Sequence, residues 1–356
     1  MLLSRYESTM NRFTINSFTK NIISIAVSCA VLAPSLAQAD GEVNVYSARK
    51  EALIKPLLDK FEAQSGVTVN LITGKADALL QRLKIEGKAS PADMFITVDA
   101  GRLQRAKEAG VLQAIQSERL NNAIPENLRD ADNLWFGLSQ RARTIFFAKD
   151  KVKPSQLSTY EALAEPQWKG KICLRSSNNI YNQSLVASMI DNIGNEATLD
   201  WATKLVKNAA KPPSGGDTDQ IKAVAAGVCE VTLANTYYFG RIMNSDKASD
   251  KKLIEKVALF WPNQQDRGVH MNVSGAGITK HARHKENAIK LLEFMTSPES
   301  QAWYASVNSE FPVLKQAETS PSLESWGSFK ADSIALNKLG ENNRAAVELM
   351  DKAGWK

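Results

Sequence analysis

Several things are scarce or missing in this 356-residue chain, and each narrows what it can do. There is no G-x-S-x-G, no phosphate-cradling P-loop, no H-E-x-x-H and no G-x-G-x-x-G fingerprint. The common sequence-legible routes to hydrolysis, nucleotide chemistry and metalloprotease activity are therefore closed. Histidine is rare: only His270, His281 and His284 occur. His281 and His284 stand three apart at the start of an expected helix, with no third ligand near in sequence. A solvated helix end explains them better than a shared metal. Basic residues are scattered, with no stripe and no interleaved aromatics. That pattern argues against nucleic acid. Past the N-terminus no apolar run is long enough to cross a bilayer. What remains is a composition 44% hydrophobic and 23% charged. This is ordinary for a globular protein, and the length suits two domains.

The N-terminus differs from the rest. Arg12 and Lys20 precede an apolar stretch from Ile22 to Leu36, followed by Ala37-Gln38-Ala39 and Asp40. A basic segment, a short apolar segment and an A-x-A site make up a secretory signal, expected over 1–39 with cleavage after Ala39. Met10 would serve equally as its start. Cys29, after Ala26-Val27-Ser28, offers lipid attachment as a rival, but the A-x-A site would then be a coincidence. Losing Arg5, Arg12, Lys20 and Glu7 lowers the net charge from +6 to +4. Two cysteines stay, Cys173 and Cys229, each in an apolar, strand-like setting. In an oxidising compartment they suit a structural disulfide, with two buried thiols as the alternative.

Short apolar strands alternate with amphipathic helices. Strands are expected at Val43-Asn44-Val45-Tyr46, at 66–72 and at Met94-Phe95-Ile96-Thr97. Helices are expected over 51–65, 76–86 and 103–109, between and after them. The pattern restarts after Thr144-Ile145-Phe146-Phe147: a strand at Ile172-Cys173-Leu174, helices over 183–193, 199–208 and 220–226, and a strand over 230–233. Helices over 288–296 and 299–306 close the series. Such alternation predicts an α/β protein with a mostly parallel sheet, helices on both faces, and two lobes with a ligand site between them.

Tyrosine placement is the strongest chemical signal. Six tyrosines lie beyond residue 39, and two of them, Tyr237 and Tyr238, are adjacent. A third, Tyr181, sits in the polar segment Asn178-Asn179-Ile180-Tyr181-Asn182. Both groups follow expected strands and precede helices, which puts them at the edge where ligands bind. A phenol ionises near pH 10. Only a strongly acidic ion such as Fe(III) would hold it as phenolate at neutral pH, and three phenolates would cancel its charge. Stacking on a sugar, or simple packing, would also account for the pair. Arg49 follows the first strand, and Arg141 and Arg143 alternate on an extended segment. A guanidinium fork suits a small planar dianion. Surface ion pairs are the plainer reading of each arginine.

Taken together, these stretches carry a likeness. Val43-Asn44-Val45-Tyr46-Ser47-Ala48-Arg49, Trp135-Phe136-Gly137-Leu138-Ser139-Gln140-Arg141-Ala142-Arg143, Asn179-Ile180-Tyr181-Asn182, Gly215-Gly216-Asp217 and Asn235-Thr236-Tyr237-Tyr238-Phe239-Gly240 occur in this order. Ser90-Pro91-Ala92-Asp93, Trp168-Lys169-Gly170-Lys171, Val273-Ser274-Gly275-Ala276-Gly277 and Glu310-Phe311-Pro312-Val313 extend the series. The chain resembles the periplasmic ferric-ion-binding proteins of ABC importers over essentially its whole length beyond residue 39.

That resemblance implies a type II periplasmic binding fold, with mixed sheets, flanking helices and a hinge between lobes. The lobes would span 40–141 plus 270–316 and 142–269 plus 317–356. It implies Fe(III) held by Tyr181, Tyr237 and Tyr238, and a synergistic anion such as carbonate or phosphate, with carbonate favoured, held by Arg49 and Arg141. It also implies a monomer in the periplasm that hands iron to an inner-membrane permease, with no enzymatic activity. Some family members add a histidine after the first strand, where this chain has Arg49-Lys50-Glu51, or a glutamate where it has Val98. The likeness is therefore to the tyrosine-only subgroup, with Asp99 or water as the alternatives for completing the coordination. The rival is the same fold with another solute, such as a phosphonate, sulfate, a polyamine or an iron chelate.

Overall fold

The computed structural model describes residues 41–356; the expected signal 1–39, with Cys29 and the A-x-A site, lies outside the described residues. The chain opens with β1 (Glu42–Ser47), α1 (Lys55–Ser65), β2 (Thr68–Thr73), α2 (Ala76–Glu86), β3 (Met94–Val98), α3 (Ala100–Glu108), β4 (Leu112–Gln113) and α4 (Glu118–Ala123). Helix α1 starts later than the apolar spacing alone predicts. Pro56 is tolerated only in a first turn. Residues 51–53 accordingly form a separate tight turn ahead of the helix. At its far end Gly66 takes φ +72°. That left-handed conformation ends a helix cheaply when the residue is glycine.

A long strand, β5 (Phe136–Ala148), leads out of this region. Next come β6 (Ile172–Cys173), α5 (Ile180–Lys207), α6 (Asp217–Ala225), β7 (Val231–Asn235), α7 (Thr236–Met243), α8 (Ala248–Lys256) and β8 (Val257–Phe260). The helices expected over 183–193 and 199–208 are the two arms of α5. Gly194, at φ 80° and ψ 168°, kinks it between them. The chain returns through β9 (Met271–Thr279), α9 (Lys285–Met295), α10 (Pro298–Asn308) and β10 (Phe311–Pro312), and ends in α11 (Pro321–Glu324), α12 (Asn337–Glu341) and α13 (Asn343–Lys352).

Strand order is β2-β1-β3-β9-β5-β7-β6, with β4 on β9 and both β8 and β10 on β5. The sheet is mixed, where strand–helix alternation predicts mostly parallel pairing. β1 pairs parallel with β2 and β3, and β6 with β7. Helical crossovers require this. β9 runs antiparallel to β3 and β5 because it enters from the other lobe rather than over a crossover helix. β5 serves both halves. Its first part pairs with β9 from Phe136 to Ala142, and its second with β7 from Arg143 to Phe147.

Two large cores lie on either side of this strand. One gathers Val43, Phe95, Trp135, Leu138, Val273 and Leu292. The other gathers Ile145, Trp168, Leu185, Trp201, Leu233 and Trp355. The tail divides between them, with Leu336 and Leu339 in the first and Ala346 to Trp355 in the second. It therefore does not belong to the second lobe alone, as the sequence reading has it. α12 packs against α3 of the first core, which draws that part of the tail across. Cys173 and Cys229 are disulfide-bonded, with Cα atoms 5.7 Å apart. The bond joins β6, which has only two residues in its ladder, to the residue before Glu230 and β7.

Candidate functional site

Tyr181, Tyr237 and Tyr238 all stand in the first turn of a helix that follows a strand of the second lobe. Asn179 caps α5, its side chain accepting a hydrogen bond from the Tyr181 amide at 3.0 Å. Such a cap satisfies a backbone donor that the helix leaves unpaired. Asn235 ends β7 and occupies the N-cap position of α7 without a side-chain cap hydrogen bond, and Tyr237 and Tyr238 follow at the strand's carboxyl end. Their rings lie 4.3 Å apart at the centroids. All three tyrosines are thus carried in the first turns of their helices, near the positive ends of the helix dipoles, where negative charge is favoured.

Cations crowd the rings. The Arg141 and Arg175 guanidiniums flank the Tyr181 ring at 5.6 and 5.7 Å, and Arg241 lies 4.9 Å from the Tyr237 ring. Tyr237 is buried, and burial first, then its neighbours Tyr181 and Tyr238, push its phenol well above the ordinary value. Burial disfavours the charged form of any acid. Tyr238 is also raised, by burial and then by Tyr181 and Asp217. These phenols are therefore protonated at neutral pH. An ion that binds them as phenolates must displace their protons.

Arg49 reaches the site from the first lobe and acts electrostatically on Tyr237. It is not free, however. Its Nη2 donates to Glu310 at 3.0 and 3.1 Å, and its guanidinium sits 5.5 Å from the Tyr304 ring. Ser139 also donates to Glu310, at 2.5 Å. Arg141 is less committed: it donates to Ser274 at 3.3 Å and stands 3.9 Å from Asp99. Nε and Nη1 of Arg49, and Nε and Nη2 of Arg141, are buried without a hydrogen-bond partner. Buried guanidinium N–H groups left unpaired are costly, and an anion would satisfy them.

Asp99 is already occupied. It caps α3 from a left-handed backbone (φ 85°) and accepts from Gly101, Ser184 and Asn272. His284 lies 3.0 Å from Asp93, away from the tyrosines. His270 is buried, its imidazole pushed down to about 3 by burial and by the nearby Arg143 and Arg141. Among the described residues no group of three or more His, Cys, Asp or Glu side chains is placed to hold a metal.

Sequence reasoning missed Arg175 and the role of Asp217. Asp217 is fully buried at the start of α6, between Arg143 at 2.9 Å and Arg175 at 3.2 Å. The position of Arg175 two residues past Cys173, at the end of an expected strand, was the available signal. Around the rings Arg49, Arg141, Arg143, Arg175 and Arg241 face Asp99, Asp217 and Glu310, which leaves an excess of two positive charges.

The family model of the bacterial extracellular solute-binding proteins matches residues 46–302. The chain belongs to that family. This solute-binding protein is 50% identical over 315 residues to iron uptake protein A1 of Synechocystis, with 88% of each chain covered. It is 44% identical over 315 residues to iron uptake protein A2 of the same organism, covering 88% of this chain and 90% of that one. Among solved structures, a Trichodesmium protein (IdiA, FutA) in complex with iron and citrate ligands is 52% identical, with a TM-score of 0.86, covering 89% of this chain and all of the other. The likeness fixes the mixed-sheet architecture as the periplasmic binding protein fold. The protein is a solute-binding protein of a transport type and not an enzyme.

Proposed function

We propose that this protein captures Fe(III) outside the cytoplasm and delivers it to the permease of an ABC importer. Tyr181, Tyr237 and Tyr238 supply three phenolates from the second lobe. Arg141, with Arg49 from the first lobe, holds a small synergistic anion, carbonate by its charge and planar shape. The observation that carries this reading is the convergence of three tyrosines beneath arginines whose buried N–H groups lack partners. Three phenolates neutralise Fe(III), and the two surplus positive charges match a dianion. The naming of both Synechocystis relatives as iron uptake proteins supports it.

In this account the second lobe takes iron first, and the first lobe then brings Arg49 over the anion. Excluding water strengthens each of these interactions. Tyr237 and Tyr238 start protonated, so binding releases protons. Affinity then falls as pH falls, by about tenfold per pH unit for each phenol proton displaced. The protein works as a monomer in the periplasm, after cleavage behind Ala39. The lobes that move are 40–141 plus 270–316 and 142–269 plus the end of the tail.

The test is competition for iron against a calibrated chelator, with and without bicarbonate. Tyr238→Phe keeps the ring and removes the ligand oxygen, and the expected result is a large loss of iron affinity. Unchanged affinity would remove Tyr238 from the ligand set. A second reading, an Fe(III)–citrate chelate bound whole, draws on the Trichodesmium relative solved with both. It requires citrate and iron to be retained in equal amounts when bicarbonate is also supplied.

A further inference from the structure

Arg143 is the most heavily engaged charged group near the tyrosines, yet nothing in the iron-binding account uses it. It is 2% exposed and lies on β5 one position past the point where that strand leaves β9 and joins β7. Its main chain is held from both sides: its amide donates to the carbonyl of His270 at 3.0 Å, and its carbonyl accepts from the Tyr160 hydroxyl at 2.5 Å. Tyr160 in turn accepts from the His270 amide at 3.0 Å. The side chain thus projects from a fixed base.

Its guanidinium reaches both tyrosine-bearing loops at once. Nη2 donates to Asn182 Oδ1 at 2.6 Å and to the Leu233 carbonyl at 3.1 Å. Nη1 donates to Asn235 Oδ1 at 3.0 Å and to Asp217 Oδ2 at 2.9 Å. Asn182 is the residue after Tyr181, and Asn235 stands two before Tyr237. Asp217 closes the arrangement by accepting from the Asn235 amide at 2.9 Å and from Arg175 at 3.2 Å. The first turns of α5 and α7 are not neighbours in sequence. One planar fork ties them together.

We propose that Arg143 is a positioning residue that sets Tyr181 against the Tyr237–Tyr238 pair, and that it ligates neither iron nor the anion. Both Nη atoms are spent on protein acceptors, which leaves Nε as the single guanidinium N–H without one, too little for the two-pronged grip an anion takes. A lysine ammonium cannot reproduce a two-pronged geometry of this kind. A shift of the two helix starts relative to one another would stretch one phenolate away from the ion. Groups that orient metal ligands without touching the metal are worth about 10- to 100-fold in affinity.

The inference rests on the three-tyrosine reading, and the experiment separates the two. Wild type, Arg143→Lys and Asn235→Ala are compared for folding by circular dichroism, for Fe(III) affinity by chelator competition, and for the visible phenolate-to-iron band. Asn235→Ala removes the one side-chain hydrogen bond the structure gives that residue and keeps every charge. The expected result is a shifted, weaker band and about 100-fold weaker binding in Arg143→Lys, with about 10-fold in Asn235→Ala. If Arg143→Lys fails to fold, Asn235→Ala decides alone. A wild-type band and wild-type affinity in a folded variant would overturn the role of Arg143. Absence of any band in the wild type would overturn the tyrosine reading instead.

Discussion

The two lobes meet at the tyrosines with opposite preparations. The first lobe arrives with its charge largely answered: Arg49 is paired with Glu310 and backed by Ser139 and Tyr304, and Asp99 is filled by Gly101, Ser184 and Asn272. The second lobe arrives with phenols raised by burial and by one another, their rings set against the guanidiniums of Arg141, Arg175 and Arg241. One side has its carboxylates and Arg49 already partnered, while the other holds its phenols protonated. On the proposed iron-binding reading, this asymmetry makes loading and closing separate events, the first belonging to the second lobe and the second needing Arg49.

Four changes would break or sharpen this contrast. The largest effect is expected from the double substitution Tyr237→Phe with Tyr238→Phe. Losing two ligand oxygens should weaken Fe(III) binding by far more than the roughly 10- to 100-fold typical of a supporting residue, seen as failure to hold iron against a modest chelator. Retained binding would mean that the second lobe is not the loading half. Arg49→Ala tests the other side. It strands Glu310 in a buried place. Thermal or urea melts of the apo protein should therefore show a loss of about 3–5 kcal/mol. Iron affinity should fall chiefly when bicarbonate is present; an equal fall without bicarbonate would count against an anion clamp.

Removing the disulfide should act on stability through the second lobe. The Cys173–Cys229 bond bridges a sequence separation of 56. Replacing both cysteines with serine should cost about 4 kcal/mol by the chain-entropy account, measured by denaturant unfolding. A cost near zero would show that the short β6 ladder holds without it. The effect that is smallest near neutral pH, and grows only with acidification, concerns His270. His270 is held down to about 3, below its unfolded value, so the unfolded chain binds the extra proton as pH drops. Stability from this group is full above about pH 6.5 and is lost towards about pH 3, by about 1.4 kcal/mol per pH unit. His270→Gln should flatten that part of the stability profile, and an unchanged profile would assign the acid sensitivity to carboxylates.

Much of this was readable in the chain. Helix spacing located α1, α2 and both arms of α5, and the polar setting of Tyr181 and the Tyr237–Tyr238 doublet placed them at strand ends before helices. Cys173 and Cys229 were legible as a pair because so few cysteines occur. What escaped was long-range pairing. Arg49 and Glu310 lie at opposite ends of the chain, and no local pattern announces that they meet. The same holds for Asp217 between Arg143 and Arg175. The antiparallel course of β5 and β9 was also hidden, since strand–helix alternation describes neighbours along the chain and these strands arrive from different lobes. The alternation of Arg141 and Arg143 was plain in sequence, but not that one meets the Tyr181 ring while the other spends both Nη groups on protein acceptors.

The most direct test is the visible absorption spectrum of the purified protein after adding ferric citrate with bicarbonate. Tyrosinate coordination predicts a broad phenolate-to-Fe(III) charge-transfer band and an orange or red colour, diminished in Tyr237→Phe and in Tyr238→Phe. A colourless protein that takes up no iron would contradict the account and point to another solute in the same fold.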